Sequence, residues 1–188
     1  MLLTLPNLLT WTRILAIPLM VALFYLPVPW SDPAAGALFA IAGITDTLDG
    51  YFARKLGQTS RLGAFLDPVA DKLIVAAALV LLVSKDNRMI VVLPALIIIG
   101  REIAISALRE WMAEIGQRAK IAVSRLGKIK TILQIVGLSM MLIRADVWLL
   151  PTYSVGLVLT CIAALLTLVS AADYLRAAWP DLRGPLSS

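Results

Sequence analysis

The segment ITDTLDGYFARKLGQTSRLGAFLDPVADK, residues 44–72, places four aspartates between two strongly apolar stretches of the chain. The flanking stretches, residues 33–45 and 73–84, have the composition of helices in a lipid bilayer. A carboxylate at membrane depth costs roughly 2.5–3.5 kcal/mol even on the most lenient insertion scale. We therefore expect the four side chains to face the interior of a helical bundle and to meet positive partners there. They are Asp46, Asp49, Asp67 and Asp71.

The composition of the whole chain indicates an integral membrane protein. Of its 188 residues, 60% are hydrophobic and only 15% are charged, which is not the balance of a soluble domain. There is no histidine and one cysteine, so a disulfide framework and the commonest transition-metal ligand are both excluded. Acid–base chemistry must then use carboxylates, lysine or tyrosine, and a bound metal must be a hard cation such as Mg²⁺ or Mn²⁺.

Six uncharged stretches predict six transmembrane helices in a single domain, residues 1–188. Four of the stretches hold only 12 or 13 residues, which is roughly 20 Å of helix against a hydrocarbon core of about 30 Å. They span the membrane only if the charged residues beside them enter it. The six stretches are residues 14–31, 33–45, 73–84, 89–100, 131–143 and 147–172.

The basic residues predict the orientation of the bundle. With both termini in the cytoplasm, only Lys85, Arg88 and Arg144 of the 17 lysines and arginines lie in the outer loops, which leaves fourteen on the inner side. The charges beside the four short stretches then meet at the cytoplasmic ends of the second to fifth helices. This predicts an all-α bundle of six transmembrane helices with a polar cavity that faces the cytoplasm.

The first two aspartates share one face of a predicted helix. On a helix that turns 100° per residue, Asp46 and Asp49 lie within one arc together with Gly50 and Ala53. The two small residues leave room for a bulky ligand to approach the backbone beside the acids. Arg54 lies at the edge of the same arc.

The second pair, Asp67 and Asp71, is spaced i, i+4 and also shares a face. Pro68 follows Asp67 directly, which predicts that a helix begins here with Asp67 as its N-cap. Gly63 is expected in the turn that leads into this helix. Capping does not explain Asp71, which lies one turn deeper.

The charges indicate a ligand with more than one phosphate. Four carboxylates carry a charge of −4, which two divalent cations would neutralise in the arrangement that clamps the attacking and leaving oxygens of phosphoryl transfer. Several cations are expected at the same cytoplasmic helix ends as the aspartates, and cations of this kind suit phosphate groups. For one of them, Arg101, an ion pair with Glu102 is an open alternative. The cations are Arg54, Arg101, Arg125 and Lys128.

Further polar residues belong to the same region. Asn7, Thr10 and Arg13 are expected to border the ligand pocket, although Asn7 and Thr10 could equally cap the first helix. Lys72, Arg118 and Lys130 are possible additional ligand contacts, with a solvated side chain or binding to lipid headgroups as the alternative for each.

The pattern DxxDGxxAR(x)8GxxxDxxxD, from residue 46 to residue 71, resembles the signature of the CDP-alcohol phosphotransferase family. Eight fixed residues over 26 positions make the pattern specific. Three further segments, residues 5–14, 100–116 and 127–131, are similar to the phosphatidylglycerophosphate synthase branch of that family.

This resemblance implies an enzyme that transfers the phosphatidyl group of CDP-diacylglycerol to sn-glycerol 3-phosphate and releases CMP. It further implies a homodimer in the inner membrane of a bacterium, among membrane lipids, with two divalent ions and an active site on the cytoplasmic side. No nucleic acid is expected as a partner. A cardiolipin synthase that uses phosphatidylglycerol and a divalent-cation transporter are the alternatives.

The resemblance also implies roles for individual residues. Asp71 would act as the general base as well as a metal ligand. The other metal ligands would be Asp46, Asp49 and Asp67. Residues implied to bind CDP-diacylglycerol are Gly50, Ala53, Arg54 and Gly63. Residues assigned to glycerol 3-phosphate by position and charge are Arg101, Arg125 and Lys128.

Overall fold

The computed structural model describes residues 5–56, 61–116, 125–146 and 150–183. At residues 5–9, 46–56, 61, 62, 64, 125–128 and 181 the description covers the backbone alone. These segments form six α-helices, so the all-α class and the number of helices are confirmed. The helices are α1 (Leu5–Tyr25), α2 (Ser31–Leu56), α3 (Arg61–Lys85), α4 (Met89–Glu114), α5 (Arg125–Ile143) and α6 (Thr152–Leu182).

Helices α2, α3 and α4 extend well beyond the apolar stretches that predicted them. Helix α2 continues to Leu56, α3 begins at Arg61, and α4 continues to Glu114. The charged residues beside the short stretches are therefore helical, as the length argument required. In each of these three helices, the charged and the apolar turns belong to one continuous helix of 25 or 26 residues.

Two predicted boundaries at the ends of the chain are wrong. The first stretch, 14–31, lies too far along the chain, because α1 begins at Leu5 and ends at Tyr25. Pro27 follows two residues later, and proline both lacks an N–H and disfavours the helical conformation of the residue before it. The last helix begins at Thr152 and continues to Leu182, whereas the apolar stretch covered 147–172. The final turns of α6 contain polar residues, so hydropathy alone does not identify them as part of the helix.

The bundle has two polar ends. At the loop end, the connections 26–30, 86–88 and 144–146 lie close together, since Lys85 bonds Asp32 and Tyr153 bonds Asp86 across helices. At the opposite end, here called the site end, α1, α3 and α5 begin and α2, α4 and α6 finish. Helices α3 and α5 therefore run in the same direction, away from the site end, and α4 runs toward it.

Between the two ends lies one apolar core to which every helix contributes. The buried side chains include aromatic, aliphatic and small residues that interlock at the level of the bundle centre. They include Met20, Phe24, Phe39, Leu82, Ile98, Leu142 and Ala164. Many large apolar side chains on the outside remain exposed, among them Leu15, Leu96, Val158 and Leu165.

Helices α5 and α6 pack at backbone distance through two glycines. A Cβ at Gly137 would lie 2.7 Å from Thr160 Oγ1 and 2.9 Å from the carbonyl oxygen of Gly156. Small residues at such crossings are typical of helices that associate in membranes, where close van der Waals contact replaces the hydrophobic effect.

Within the described residues, two helical segments are long and apolar enough to cross a membrane, Met89–Glu114 and Thr152–Pro180. Two shorter apolar helical segments are Thr10–Tyr25 and Ile129–Ile143.

Candidate active site

The aspartates of α3 lie one turn apart on the face that packs against α1. Thr10 Oγ1 donates a hydrogen bond to Oδ1 of Asp67. Arg13 Nη1 donates to Oδ1 of Asp71 at 2.5 Å. The side chain of Arg13 is 2% exposed, whereas that of Asp71 is 42% exposed. A buried guanidinium thus supports a carboxylate that still faces open space.

This pairing follows from two matching periodicities. Thr10 and Arg13 are spaced i, i+3 on α1, and Asp67 and Asp71 are spaced i, i+4 on α3, so each pair forms one stripe along its helix. When the two helices pack, the stripes meet as two donor–acceptor pairs. Thr10 lies inside α1, so its alternative role as a helix cap is wrong.

The predicted start of α3 is also wrong. The helix begins at Arg61, which places Gly63 in its first turn as a buried residue and makes Pro68 an interior residue. Asp67 is therefore not an N-cap, and Gly63 does not form a turn before the helix. An interior proline removes one hydrogen bond of its helix, but neighbouring helices can compensate for such a break inside a membrane bundle.

The aspartates of α2 are described by their backbone alone. Asp46 and Asp49 lie within continuous helix, so the helical geometry that placed them on one arc is confirmed. Their side chains lie outside the described residues. Gly50 is likewise described by its backbone alone, and the same holds for Ala53, Arg54, Arg125, Lys128 and Asn7. Arg118 lies outside the described residues.

A polar cleft of about 270 Å³ opens beside Asp71, between α3, α4 and α5. Its walls combine carboxylates, cations, a hydroxyl and an amide, which suits a small anionic ligand that also carries hydroxyl groups. The lining residues are Pro68, Asp71, Lys72, Val75, Glu102, Arg109, Lys130, Thr131 and Gln134.

One carboxylate, Glu102, binds two cations on the α4 side of this cleft. Its Oε1 atom accepts hydrogen bonds from Lys130 Nζ at 2.7 Å and from Arg101 Nη1 at 2.8 Å. Lys130 is 5% exposed. Two positive groups on one negative group leave this cluster with a net positive charge, which favours an anionic ligand nearby.

Arg101 does not line the cleft. Its Nη2 atom donates to Ser170 Oγ at 3.1 Å, and its guanidinium lies 5.8 Å from the ring centre of Tyr174. One residue step turns a helix by 100°, so Arg101 faces α6 while Glu102 faces α5. The alternative reading, an ion pair between Arg101 and Glu102, is confirmed.

Two of the cleft residues that the sequence interpretation missed, Arg109 and Gln134, could have been found from helical spacing. Arg109 donates to Tyr174 Oη at 2.9 Å and stacks on its ring at 5.1 Å. It lies seven residues after Glu102, a spacing of two turns that could have placed it on the same face. Gln134 lies four residues after Lys130 and could have been found by the same rule.

The donor atoms of this region suit a hard divalent cation. The two carboxylates of α3 offer oxygen ligands, and the exposure of Asp71 leaves it accessible to an ion. Among the described side chains, no three His, Cys, Asp or Glu residues converge as a metal site. The two further acids that such a site needs would come from α2, where side chains are outside the description.

Comparison with known proteins adds a family and several relatives. Residues 3–170 match the family described as CDP-alcohol phosphatidyltransferase. A protein of Escherichia coli (strain K12), named CDP-diacylglycerol–glycerol-3-phosphate 3-phosphatidyltransferase, is 51% identical over 177 residues, which cover 94% of this chain and 96% of that protein. Proteins with the same name in Shigella flexneri serotype 5b and Shigella boydii serotype 4 show the same identity and coverage.

Proposed function

Since this chain belongs to the CDP-alcohol phosphatidyltransferase family, we propose that it transfers the phosphatidyl group of CDP-diacylglycerol to sn-glycerol 3-phosphate. The products are phosphatidylglycerol phosphate and CMP, in a step of phospholipid biosynthesis. The relatives that share half of its residues carry the name of this activity. Within the molecule, one observation carries the proposal: the carboxylate of Asp71 opens into a cation-lined cleft while buried Arg13 holds it from behind.

Asp71 is the general base in this mechanism. It accepts the proton of the primary hydroxyl of glycerol 3-phosphate as that oxygen attacks the phosphorus atom next to the diacylglycerol. A new P–O bond forms to the acceptor, and the P–O bond to CMP breaks. Arg13 keeps the Asp71 carboxylate in place, and Thr10 does the same for Asp67.

Enzymes of the family generally depend on divalent metal ions. We propose two ions, Mg²⁺ or Mn²⁺. When bound, they would neutralise the diphosphate and stabilise the leaving CMP. Asp46, Asp49, Asp67 and Asp71 would hold them, and the all-oxygen donor set supports this choice. Residues proposed to cradle the CDP group are Gly50, Ala53, Arg54 and Gly63.

The phosphate of the acceptor binds to the cations of the cleft. Arg125 and Lys128 remain in this role by position, because α5 begins at the site end. Lys130 and Arg109 join them, since both line the cleft beside Asp71. Arg101 contributes indirectly, through the Glu102 carboxylate that it shares with Lys130.

The proposal includes a single membrane domain, residues 1–188, with six spanning helices. A common core from all six helices and a family match over residues 3–170 support it. The excess of basic residues at the site end supports cytoplasmic termini and a cytoplasmic active site, which would be the inner membrane in a bacterium. A homodimer is also proposed, on the family resemblance, and the mass of the detergent-solubilised protein would test it.

The direct test supplies CDP-diacylglycerol in detergent and measures CMP release with one acceptor at a time. We expect rapid release with sn-glycerol 3-phosphate and background release with phosphatidylglycerol or without an acceptor. Release that requires phosphatidylglycerol would identify a cardiolipin synthase and refute the proposal. Removal of divalent ions with a chelator should stop the reaction, and Mg²⁺ or Mn²⁺ should restore it.

A further inference from the structure

Gln134 is a buried amide on α5 whose side-chain oxygen has no hydrogen-bond partner among the described residues. The residue is 5% exposed, and its Oε1 atom is shielded from solvent and accepts no hydrogen bond. Buried polar atoms are nearly always paired in folded proteins, and an unpaired one is unfavourable. Because Gln134 also lines the cleft, a ligand bound there can supply the missing partner.

The position of Gln134 in the cleft indicates where that ligand group lies. Helices α3 and α5 run in the same direction from the site end, so Gln134 lies one turn deeper than Lys130, as Val75 lies one turn deeper than Asp71. Helix α4 runs the opposite way, which places Arg109 nearer the mouth of the cleft than Glu102. The cations therefore lie toward the mouth, and the unpaired amide lies at the inner end.

We propose that Gln134 recognises the hydroxyl group of the acceptor that does not react, and so selects a phosphorylated diol over a simple alcohol phosphate. This inference rests on the proposed function. The phosphate of glycerol 3-phosphate matches Lys130 and Arg109, and its primary hydroxyl matches Asp71. The secondary hydroxyl is the one polar group of the acceptor that these residues leave unmatched.

The chemistry of the amide supports a hydroxyl as its partner. The unpaired atom is an acceptor, and a fully ionised phosphate has no proton to donate to it. A hydroxyl both donates and accepts, so it satisfies the amide whichever way its oxygen and nitrogen are turned. Lys130, the nearest cation along the same helix face, already donates to Glu102 at 2.7 Å.

A pair of acceptors that differ by one hydroxyl tests this role. The full-length protein is assayed with CDP-diacylglycerol and either sn-glycerol 3-phosphate or 3-hydroxypropyl phosphate, which lacks the secondary hydroxyl. We expect kcat/KM of the wild-type protein to favour glycerol 3-phosphate by roughly 10- to 100-fold. In Gln134→Met, which keeps the length of the side chain, the ratio should fall below about 3-fold, with an unchanged KM for CDP-diacylglycerol.

Thr167→Val is the matched control. Thr167 is 0% exposed, its hydroxyl oxygen also lacks a partner among the described residues, and it does not line the cleft. This variant should keep the wild-type preference between the two acceptors. Loss of the preference in both variants would assign it to general loosening of the bundle and overturn the role of Gln134.

Two further results separate this inference from the function on which it rests. If the wild-type protein uses both acceptors equally well, Gln134 has no such role, but the proposed transfer reaction stands. If neither acceptor releases CMP, the proposed function fails and the inference fails with it.

If Gln134→Met does not fold, the thermal stability of the wild-type protein tests the inference instead. Glycerol 3-phosphate should raise Tm more than the analogue does. Equal protection by both would overturn the proposal.

Discussion

The two ends of the bundle carry similar charged groups but differ in how these groups are satisfied. At the loop end, Lys85 bonds Asp32 at 2.6 Å. Asp86 accepts hydrogen bonds from Arg88 at 2.9 and 2.7 Å and from Tyr153 at 2.5 Å. Asp32 and Asp86 each have a cation beside them, and these two ion pairs form without a ligand.

At the site end, residues of the same types keep atoms that are available to bind a ligand. Asp71 keeps 42% of its side chain exposed although Arg13 is bonded to it. One carboxylate, Glu102, serves two cations, and Gln134 has an unpaired oxygen among the described groups. The comparison teaches that an accessible carboxylate and an unpaired amide in one cleft, and not the number of charges, distinguish this site from the loop-end cluster.

Cavity size would have indicated the wrong place. An apolar groove of about 620 Å³ lies between α4 and α6, and a recess of about 380 Å³ lies beside Asp86 at the loop end. Both are larger than the cleft of about 270 Å³ beside Asp71. The groove has no charged residue in its lining. The one carboxylate of the recess, Asp86, already bonds Arg88 and Tyr153, so neither cavity has the chemistry for phosphoryl transfer.

Replacing Asp71 with asparagine should have the largest effect on catalysis. The amide keeps the shape and can still accept a hydrogen bond from Arg13, but it cannot accept the proton of the acceptor hydroxyl. We expect CMP release to fall by roughly 1,000-fold while CDP-diacylglycerol still binds. The matched variant at the loop end, Asp86→Asn, should stay within about 3-fold of the wild-type rate. Near-normal turnover by Asp71→Asn would remove this residue from the mechanism.

Replacing Arg13 with methionine should have the next largest effect. Without the guanidinium, the Asp71 carboxylate loses the contact that orients it, and a displacement of about 1 Å can lower a rate by about 100-fold. We expect a loss of that order in kcat, with a smaller change in KM for either substrate. Arg13→Lys keeps the charge and should recover part of the rate. Equal losses in the two variants would show that a positive charge at position 13 is not sufficient for the contribution of Arg13.

Replacing Lys130 with methionine should affect the acceptor more than the lipid. A charge-assisted hydrogen bond to phosphate is lost, so KM for glycerol 3-phosphate should rise by roughly 10-fold or more. KM for CDP-diacylglycerol should change by less than about 2-fold. Lys85→Met, which breaks an ion pair at the loop end, is the control and should leave both constants unchanged. Parallel increases in both constants would assign Lys130 to the stability of the bundle.

Much of the fold and the composition of the site could be predicted from the sequence. The apolar stretches were too short to span a membrane, which predicted that the helices continue into the charged residues beside them. Helices α2, α3 and α4 do so. The pattern from Asp46 to Asp71 identified the family that the comparisons show. These features are local, because they depend on helical periodicity and on the length of a membrane span.

Features that depend on which helices are neighbours could not be predicted. The periodicity of α1 shows that Thr10 and Arg13 form a stripe, but only the packing of α1 on α3 shows that this stripe meets Asp67 and Asp71. The direction of Arg101 toward α6 was likewise undecided, since helix contacts between distant segments leave no periodic signal. Pro68 was misread as a helix start, because bundle packing supports an interior proline that an isolated helix would not tolerate well.

Replacing Asp86 with asparagine should have the smallest effect and should depend on pH. The hydrogen bond from Arg88 holds the pKa of the Asp86 carboxyl well below its ordinary value of about 3.9. The folded state therefore favours the carboxylate, so its contribution to stability is complete above that value and is lost as the pH falls toward the lowered pKa. At pH 7 we expect Asp86→Asn to lower Tm by at most a few degrees, since the side chain of Arg88 is 63% exposed and solvent screens the pair. The difference in Tm should begin to shrink below about pH 4. A difference that grows on acidification would mean that this ion pair does not hold the loop-end cluster. The contrast between the paired Asp86 carboxylate and the open Asp71 carboxylate would then lose its physical basis.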